Sequence, residues 1–431
     1  ATKATKKIPR SKKPSGMSLE DWQSTLRRQY GRDQDFGLKN IGDESIFSEF
    51  LVTNPETGGN YRVAIRGRKP GDNYCSCPDF AVNTLGTCKH IEYTLAKLTK
   101  RRGAKTAFKE GFRPSYSEVF LRYGSRREVV FRPGTDCPEP LLDLVNRYFD
   151  SEGLLKPTAY PRFDSFLKQA GKIEHELRCY DDAIGFIAKV RDGAMRKAII
   201  DEAFPQGAKS PAFDKLLKTS LYPYQRVGAL FAAKAGRCLI ADDMGLGKTV
   251  QAIAATEILA DVACIERVLI VSPTSLKHQW SREIERFTDR SAEVIEGLLP
   301  KRAELYGKES FYKITNYDVI HRDLDLIHRW GPELIILDEA QRIKNWQTRT
   351  AKSVKKLSSE YAIVLTGTPL ENRLEELHSI VEFVDCFRLG PMFRFLDQHQ
   401  HVDDNGKVVG YRNLGAIAGT LAPVLVRRTK Q

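Results

Sequence analysis

The chain has 431 residues, a formal net charge of +13 and a sequence pI near 9.2, and 41% of its residues are hydrophobic. This length and apolar content predict two or three domains with real hydrophobic cores. No apolar stretch approaches the length that spans a bilayer, so no membrane partner is expected. The basic charge favours a polyanionic partner, although charge alone supports only nonspecific attraction.

Residues 1–36 are predicted to form a basic, disordered tail. Residues 1–13 contain six lysines and arginines and no acidic residue, and Pro9, Pro14 and Gly16 discourage packing. Contact with DNA, a nuclear address in a eukaryotic source and a solubilising role all fit this composition. The tail has no apolar core, so a secretory signal is not expected.

Residues 37–110 are predicted to form a small zinc-binding module. Four residues follow a CxC, ten-residue, CxH spacing: Cys75, Cys77, Cys88 and His90. Three thiolates and one imidazole form a closed tetrahedral set that is typical of structural zinc. Strand-like segments flank the turn-rich NPETGGN, so a β-hairpin is expected to present the first two cysteines, and a helix over 91–100 the last two ligands. Buried free cysteines in a reducing compartment are the alternative.

This pattern resembles the SWIM zinc finger, and the resemblance extends to Phe80 after the first cysteine pair and Ile91 after the histidine. It implies a ββα module that binds one Zn²⁺ ion through the four residues just named. The other cysteines are scattered singly along the chain, and we interpret them as small buried hydrophobic residues.

Residues 111–215 are predicted to be an α+β connector. The segments YSEVFLRYG and RREVVFRPG favour a hairpin around Ser125, and helices are expected over Pro138–Asp150 and within Phe163–Ala203. No catalytic or ligand-binding pattern emerges here, and the basic residues are interpreted as a solvated face.

The sequence CLIADDMGLGKT predicts a phosphate-binding turn. Cys238–Ala241 is long enough for one buried parallel strand, and the alanine-rich Thr249–Ala260 is expected to be a helix. Glycine N–H groups between them can close on phosphate oxygens, Lys248 can reach the β/γ-phosphates, and Thr249 can offer its hydroxyl to Mg²⁺. The strict GxxxxGK[ST] pattern is not met because Asp242 occupies the first glycine position, and an ordinary helix-capping glycine turn is the alternative.

An acidic pair follows a second buried strand, which is predicted over Glu333–Leu337 and ends at Asp338 and Glu339. Open α/β sheets bind their ligands at the carboxyl ends of strands. There Asp338 can hold Mg²⁺ and Glu339 can orient and polarise an attacking water, because phosphoryl transfer depends mainly on positioning and charge neutralisation. A solvated acidic pair that caps the next helix is the alternative.

Three more strands, each followed by a polar loop, are predicted at 267–272, 311–315 and 361–366. With these strands in place, the chain resembles the Swi/Snf-like ATPases of helicase superfamily two. The first RecA-like lobe of that family carries seven motifs, in the order seen here: YPYQRVGA, DDMGLGKT, VSPTSLKHQW, ITNYD, DEAQRIKN, LTGTPLEN and LVRRTK. The resemblance covers Leu221–Lys430 and implies an α/β RecA-like P-loop lobe, residues 216–431, with a mostly parallel sheet.

The resemblance also implies roles for individual residues. Gln225 would read the adenine edge, and the catalytic set would be Lys248, Asp338 and Glu339. Nucleotide binding is implied for Asp243, Met244, Gly245, Leu246, Gly247, Lys248 and Thr249. Coupling of the nucleotide state to lobe movement is implied for Thr366, Gly367 and Thr368. DNA contact is implied for Lys277, Gln279, Asn316, Arg342 and Lys344, and further candidates for it are Trp280, Tyr317 and Asn345. For Trp280, a core anchor of the following helix fits equally well.

The protein implied by the resemblance is an ATP-dependent translocase that tracks along double-stranded DNA and remodels a DNA-bound protein complex, with ATP, Mg²⁺ and Zn²⁺ as cofactors. Gln341 and the sequence Thr-Gly-Thr-Pro at 366–369 differ from the aspartate and the Ser-Ala-Thr triplet expected of DEAD-box RNA helicases. A nonenzymatic zinc-finger scaffold that retains a nucleotide-binding lobe is the alternative.

The second lobe of this family supplies arginines to the transferring phosphate, and residues 1–431 are expected to lack that lobe. Turnover by this chain alone is therefore expected to be very slow. We expect a nucleoid-associated, cytoplasmic location in a bacterium and a nuclear one in a eukaryote. The oligomeric state and the role of the zinc module, which could recruit DNA or protein, stay open.

Overall fold

The computed structural model describes residues 7–10, 12–367, 373–403 and 407–430. The chain divides into two compact units, Ala1–Arg191 and Asp192–Gln431, whereas the sequence suggested that the last domain starts at residue 216. Within the described ranges, no helix combines the length and the apolarity that a bilayer crossing requires.

The first unit combines short strands with helices. Its strands are β1 (Gly37–Asn40), β2 (Glu49–Thr53), β3 (Asn60–Ala64), β4 (Tyr74–Cys75), β5 (Ser117–Tyr123), β6 (Arg127–Arg132) and β7 (Leu177–Cys179). Its helices are α1 (Leu19–Arg32), α2 (Pro78–Asn83), α3 (Lys89–Leu98), α4 (Ala104–Glu110), α5 (Glu139–Tyr148) and α6 (Phe163–Ala170). Helix α7 (Asp181–Ala203) begins in the first unit and ends in the second.

Strands β1 to β4 form an antiparallel sheet in sequence order. The β2–β3 hairpin turns through NPETGGN as predicted, but it does not itself present the cysteines. Cys75 lies on β4, paired with Val63, and Cys77 caps α2. The sheet therefore has four strands, which corrects the predicted ββα arrangement. A two-residue strand such as β4 is too short to show a period in sequence.

Helix α1 corrects the prediction of a disordered tail over 1–36 for residues 19–32, whereas residues 1–6 and 11 lie outside the described residues. The Ser18 hydroxyl caps this helix by accepting a hydrogen bond from the Asp21 N–H at 3.0 Å, and acidic residues occupy the first turn. Gly31 is buried against α3, where an added Cβ would lie 2.5 Å from the Lys89 carbonyl oxygen. The basic composition of residues 1–13 does not extend to this capped, packed segment.

The connector holds a three-stranded sheet in the order β6-β5-β7. The β5–β6 hairpin is antiparallel and encloses Ser125, which confirms that prediction, whereas β7 runs parallel to β5. Helices α5 and α6 supply Leu141, Leu144 and Phe166 to the apolar core beside this sheet.

The second unit alternates strands and helices. Its helices are α8 (Pro223–Ala235), α9 (Lys248–Ala263), α10 (Lys277–Phe287), α11 (Leu299–Gly307), α12 (Ile320–Trp330), α13 (Arg349–Val354), α14 (Leu374–Val384), α15 (Met392–His399) and α16 (Leu414–Leu421). Its strands are β8 (Arg237–Ile240), β9 (Val268–Ser272), β10 (Ala292–Val294), β11 (Tyr312–Asn316), β12 (Leu334–Leu337), β13 (Tyr361–Leu365), β14 (Gln400–Val402), β15 (Val408–Tyr411) and β16 (Leu425–Val426).

Seven of these strands form one sheet in the order β10-β11-β9-β12-β13-β8-β16, and every neighbouring pair is parallel. Successive residues of the central strands face two different apolar clusters: Ile336 lies in one, and Ile335 and Leu337 lie in the other. Burial on both faces explains the continuous apolar runs in the sequence. The predicted parallel α/β sheet is confirmed, and the carboxyl ends of its strands meet at one edge.

Candidate nucleotide and metal sites

The loop between β8 and α9 has the backbone of a phosphate-binding turn. Gly245 and Gly247 have φ values of 83° and 69°, a left-handed conformation that glycine adopts without a Cβ penalty. Gly247 is the N-cap of α9, so Lys248 is the first residue of a long helix. The first N–H groups of a helix have no partner within the helix, so the start of α9 suits an anion.

Lys248 is held by the loop that precedes it. Its Nζ donates to the carbonyl oxygens of Asp242 at 2.9 Å and Asp243 at 3.2 Å. Gly367 lies nearby, because a Cβ at that position would fall 3.7 Å from the Lys248 Nζ. Two of the three predicted coupling residues, Thr366 and Gly367, therefore follow the strand next to the loop, and Thr368 lies outside the described residues.

Gln225 lies directly against the phosphate-binding turn. It is 7% exposed, its Oε1 accepts a hydrogen bond from the Tyr222 N–H at 3.0 Å, and its Nε2 would lie 2.4 Å from a Cβ at Gly247. Tyr222 and Tyr224 stack beside it with ring centroids 5.9 Å apart, and Tyr222 is 66% exposed. This end of α8 thus offers an amide and an open aromatic face, which suit a nucleobase.

Asp338 is positioned by two aromatic side chains that the sequence did not assign to it. The Trp280 Nε1 donates to its carboxylate at 2.8 Å, and the Tyr317 hydroxyl donates to its carbonyl oxygen at 2.7 Å. Burial raises the pKa of Asp338, and the Trp280 hydrogen bond opposes that rise. The burial of Trp280 and Tyr317 favours a core and positioning role over contact with DNA.

Glu339 belongs to a short chain of side-chain hydrogen bonds. Its φ of 51° is left-handed, which turns the chain sharply after β12. Its carboxylate accepts a hydrogen bond from the Gln341 Nε2 at 2.7 Å, and the Gln341 Oε1 accepts one from the Thr366 hydroxyl at 3.2 Å. The acid is therefore connected through one side chain to the predicted coupling segment.

The residues expected to contact DNA differ in accessibility. Gln279 and Arg342 are exposed, Asn316 is half-buried, and Lys344 lies 3.3 Å from the Glu376 carboxylate. Lys277 is only 5% exposed and donates to the Ile295 carbonyl oxygen at 3.1 Å; burial lowers the pKa of its amine. This placement argues against Lys277 as a phosphate contact, because its ammonium group already has a partner inside the fold.

The predicted metal ligands converge in the first unit. Their ligand atoms all lie within 4.8 Å of one another, and the four side chains are buried: Cys75, Cys77, Cys88 and His90. Cys77 and Cys88 are the N-caps of α2 and α3, and His90 lies in the first turn of α3. Two helix starts and one strand end thus aim their side chains at a common centre.

The cluster has the chemistry of a zinc site. The His90 Nδ1 lies 3.7 Å from the Cys75 Sγ and 4.0 Å from the Cys88 Sγ, which are separations that a tetrahedral ion can bridge. Burial raises the pKa of the Cys75 and Cys88 thiols, whereas hydrogen bonds from these two thiols lower the pKa of Cys77, so Cys77 is the cysteine that favours the thiolate form. The His90 ring is fixed by stacking on Tyr61 with centroids 4.4 Å apart.

Comparison with known proteins identifies a family to which this chain is similar. The family model described as SNF2-related domain matches residues 99–431. This chain belongs to that family. The predicted Swi/Snf-like ATPase lobe is thereby confirmed, and the SNF2-related match also covers the predicted connector. The four clustered cysteine and histidine residues precede the matched residues.

The alignment with each relative covers only part of the length of that relative. Putative ATP-dependent helicase/translocase YwqA of Bacillus subtilis is 34% identical over 257 residues, which cover 57% of this chain and 27% of that protein. Human DNA repair and recombination protein RAD54B is 29% identical over 248 residues, covering 51% and 27%. The solved SWI2/SNF2 ATPase core of Sulfolobus solfataricus in complex with dsDNA is 31% identical, with a TM-score of 0.45 and coverage of 50% and 46%.

Proposed function

We propose that this chain carries the ATP-binding lobe of an ATP-dependent translocase that moves along double-stranded DNA and remodels protein bound to it. The observation that carries the proposal is the convergence of two parts of the site at one edge of the parallel sheet: β8, which leads to Lys248, and β12, which leads to Asp338, both pair with β13. Membership of the SNF2-related family and the names of the relatives support the same reading.

Three parts of the lobe divide the chemistry in this proposal. The N–H groups at the start of α9 and the Lys248 ammonium group bind the β- and γ-phosphates. Asp338, fixed by Trp280, and the Thr249 hydroxyl hold the Mg²⁺ that accompanies ATP and neutralises phosphate charge. Glu339, oriented by Gln341, positions the water that attacks the γ-phosphorus, with ADP as the leaving group.

Double-stranded DNA is the proposed track. The net charge of +13 and the exposed Arg342 beside the sheet edge favour contact with phosphates. Binding of this kind is electrostatic and tolerant of sequence, so affinity should fall with salt at a log-log slope of about −0.9 per phosphate contacted. Equilibrium titrations of duplexes at several salt concentrations measure this slope. A salt-independent affinity, or a strong preference for one sequence, would contradict the proposal.

A structural zinc ion is the proposed occupant of the Cys75, Cys77, Cys88 and His90 cluster. The sequence pattern resembles a SWIM module, and the buried, convergent ligand atoms fit the ion. We propose that this module recruits the motor to DNA or to a DNA-bound protein.

The test of the ATPase assignment separates binding from turnover. Lys248→Ala should weaken Mg-ATP binding by at least about 10-fold, because a charge-assisted contact to phosphate is lost. Lys301→Ala is the matched control, since Lys301 lies on the exposed surface of α11 and pairs with Glu304. Calorimetric titration with Mg-ATP measures both variants, and equal weakening of both would contradict the assignment.

Turnover is measured in the chain extended through a second lobe. Residues 1–431 alone should show almost no DNA-stimulated hydrolysis, because the arginines that the second lobe supplies in this family are worth roughly 10³ to 10⁵ in rate. In the extended chain, Glu339→Gln should abolish hydrolysis while nucleotide and DNA binding persist. A scaffold without enzymatic activity predicts no hydrolysis in the extended wild-type chain either, so this measurement separates the two functions.

A further inference from the structure

The segment that ends the described chain runs alongside the strand that leads into the phosphate-binding loop. Strand β16 is parallel to β8, with Leu425 beside Leu239 and Val426 beside Ile240. The contact continues beyond the strands at the level of the backbone. The Asp243 N–H donates to the Arg428 carbonyl oxygen at 3.0 Å, and the Lys430 N–H donates to the Asp243 carboxylate at 3.1 Å.

The Arg428 side chain reaches under the loop to a buried acid. Its Nη1 donates to the Asp242 carboxylate at 3.1 Å and to the Gln251 Oε1 at 3.2 Å, and the Gln251 Nε2 donates to the same carboxylate oxygen at 3.0 Å. Asp242 and Gln251 are both 0% exposed. Three chain segments therefore meet in one polar triangle: the start of the loop, the first turns of α9, and the segment after β16.

Helix α8 is shaped to leave room for this triangle. A Cβ at Gly228 would fall 1.9 Å from the Gln251 Oε1 and 3.1 Å from the Arg428 Nη2, so a larger residue there would displace the Gln251 side chain from the triangle. The Arg428 guanidinium also lies over the Tyr224 ring, 5.8 Å from its centroid. Arg428 therefore contacts α8 as well as the loop and α9.

This triangle connects directly to the predicted nucleotide lysine. Asp242 stands where the strict phosphate-loop pattern has its first glycine, and its carbonyl oxygen accepts the hydrogen bond from the Lys248 Nζ at 2.9 Å. Among the described residues, Arg428 is the cation paired with the Asp242 carboxylate. A buried carboxylate requires such a partner, because an unpaired charge in the interior is strongly destabilising.

We infer that Arg428 is a positioning residue of the nucleotide site: through the Asp242 carboxylate it holds the phosphate-binding loop and Lys248 in register, and it ties that loop to the segment that follows β16. Nucleotide affinity should therefore depend on the hydrogen bond between Arg428 and the Asp242 carboxylate. The inference rests on the proposed nucleotide binding for its functional consequence, and its structural part stands on the hydrogen bonds alone.

The experiment has one measurement without nucleotide and one with it. Hydrogen exchange at amides 243–249 is compared for the wild type, Arg428→Met, Arg428→Lys and the control Arg427→Met, which alters an exposed neighbouring arginine. Arg428→Met should accelerate exchange in the loop and weaken Mg-ATP binding by about 10-fold to 100-fold, by analogy with the loss of residues that orient the ligands of a metal ion. Arg428→Lys should recover part of both effects, and Arg427→Met should change neither.

A double-mutant cycle with Asp242→Asn shows whether Arg428 acts through Asp242. The two substitutions should be strongly non-additive in nucleotide affinity, because each removes the same contact. The thermal midpoint of each variant is measured alongside. If Arg428→Met does not fold, hydrogen exchange in the loop and Mg-ATP affinity are measured for Arg428→Lys and Asp242→Asn instead. These two variants then show whether Arg428 positions the loop.

Additive effects on affinity, or unchanged loop exchange in folded Arg428 variants, overturn the inference. A change in the thermal midpoint with unchanged affinity shows a merely structural contact and overturns it as well. If the wild type binds no nucleotide, the proposed function fails, and the exchange measurement still decides whether Arg428 holds the loop.

Discussion

The module that holds the cysteine and histidine cluster and the ATPase lobe position their functional side chains in different ways. In the module, Cys75, Cys77 and Cys88 are members of the apolar core cluster, so the proposed metal site lies at the centre of the fold. In the lobe, Lys248 begins α9 and Glu339 follows β12, both at the carboxyl edge of a sheet whose strands are buried on both faces. Binding and folding should therefore be inseparable in the module and separable in the lobe.

The two units also differ in what supports their interiors. Near the module, Glu118 is 0% exposed and is paired with Arg66 and Arg132. In the lobe, the central strands pack mainly through aliphatic side chains such as Ile336 and Ile363. The central strands of the lobe are thus supported by apolar packing, although the second unit also holds a buried ion pair of Arg302 and Asp323.

Removal of zinc is expected to have the largest effect. Structural zinc sites in small finger peptides carry apparent binding energies of roughly 10 to 16 kcal/mol, so chelation should unfold residues 40–105 and leave the lobe folded. Elemental analysis of freshly purified protein should find one zinc per chain, and calorimetry with and without chelator should show the loss of one transition.

The matched cysteine variants are Cys88→Ser and Cys264→Ser, because Cys88 is a buried cluster member whereas Cys264 is exposed in the second unit. Only Cys88→Ser should lower the zinc content. Absence of zinc from unchelated protein would contradict the proposed metal site. Simultaneous unfolding of both units by chelator would contradict the expectation that only the module depends on the metal for its folding.

Glu118→Gln is expected to destabilise the first unit by about 3 to 5 kcal/mol, because two arginines lose their buried counter-charge. Burial alone would raise the pKa of Glu118, but the charges of Arg66 and Arg132 outweigh it and the pKa is lowered. The stabilisation is therefore fully present above the ordinary glutamate pKa of about 4.3 and is lost as pH falls through the lower folded-state pKa.

Denaturant unfolding of both proteins between neutral and acid pH measures this difference. The stability gap between wild type and Glu118→Gln should narrow as the pH falls below about 4. A stability difference between the two proteins that is constant with pH would show that the charge of the Glu118 carboxylate contributes nothing to the free energy of unfolding.

Ile336→Ala is expected to destabilise the lobe by about 2 to 5 kcal/mol, because it leaves a cavity between the central strand β12 and the helices on one face. Zinc content and the unfolding of the first unit should not change. Val409→Ala is the control, since Val409 is 64% exposed on β15. Loss of zinc in Ile336→Ala would show that the two units do not respond independently.

Gly31→Ala should have the smallest effect, about 1 to 3 kcal/mol, because the added methyl group overpacks the contact between α1 and the Lys89 carbonyl oxygen. Limited proteolysis should cleave α1 more readily while zinc stays bound. Gly185→Ala is the control, since no atom lies within 4 Å of a Cβ at that helical position. Equal protection of α1 from proteolysis in both variants would show that α1 is not packed as part of the module.

The predictions from sequence were most accurate where burial or chemistry leaves a local pattern. The strands at 267–272 and 333–337 were predicted to within about one residue, because a strand buried on both faces is a continuous apolar run. Helix α1 was missed because neighbouring basic residues dominated the composition of the tail. Lys277 was assigned to DNA because its residue type, and not its burial, is visible in a sequence.

The sequence by itself determined the parallel α/β lobe, the phosphate-binding turn at Lys248, the acids Asp338 and Glu339, and the spacing of the cysteine and histidine cluster, since each depends on residues close together in the chain. Only the tertiary structure decided which distant residues support them. Trp280 lies 58 positions from Asp338, and Arg428 lies 186 positions from Asp242. Such pairings follow from the order of strands in the sheet, which no local period or motif encodes.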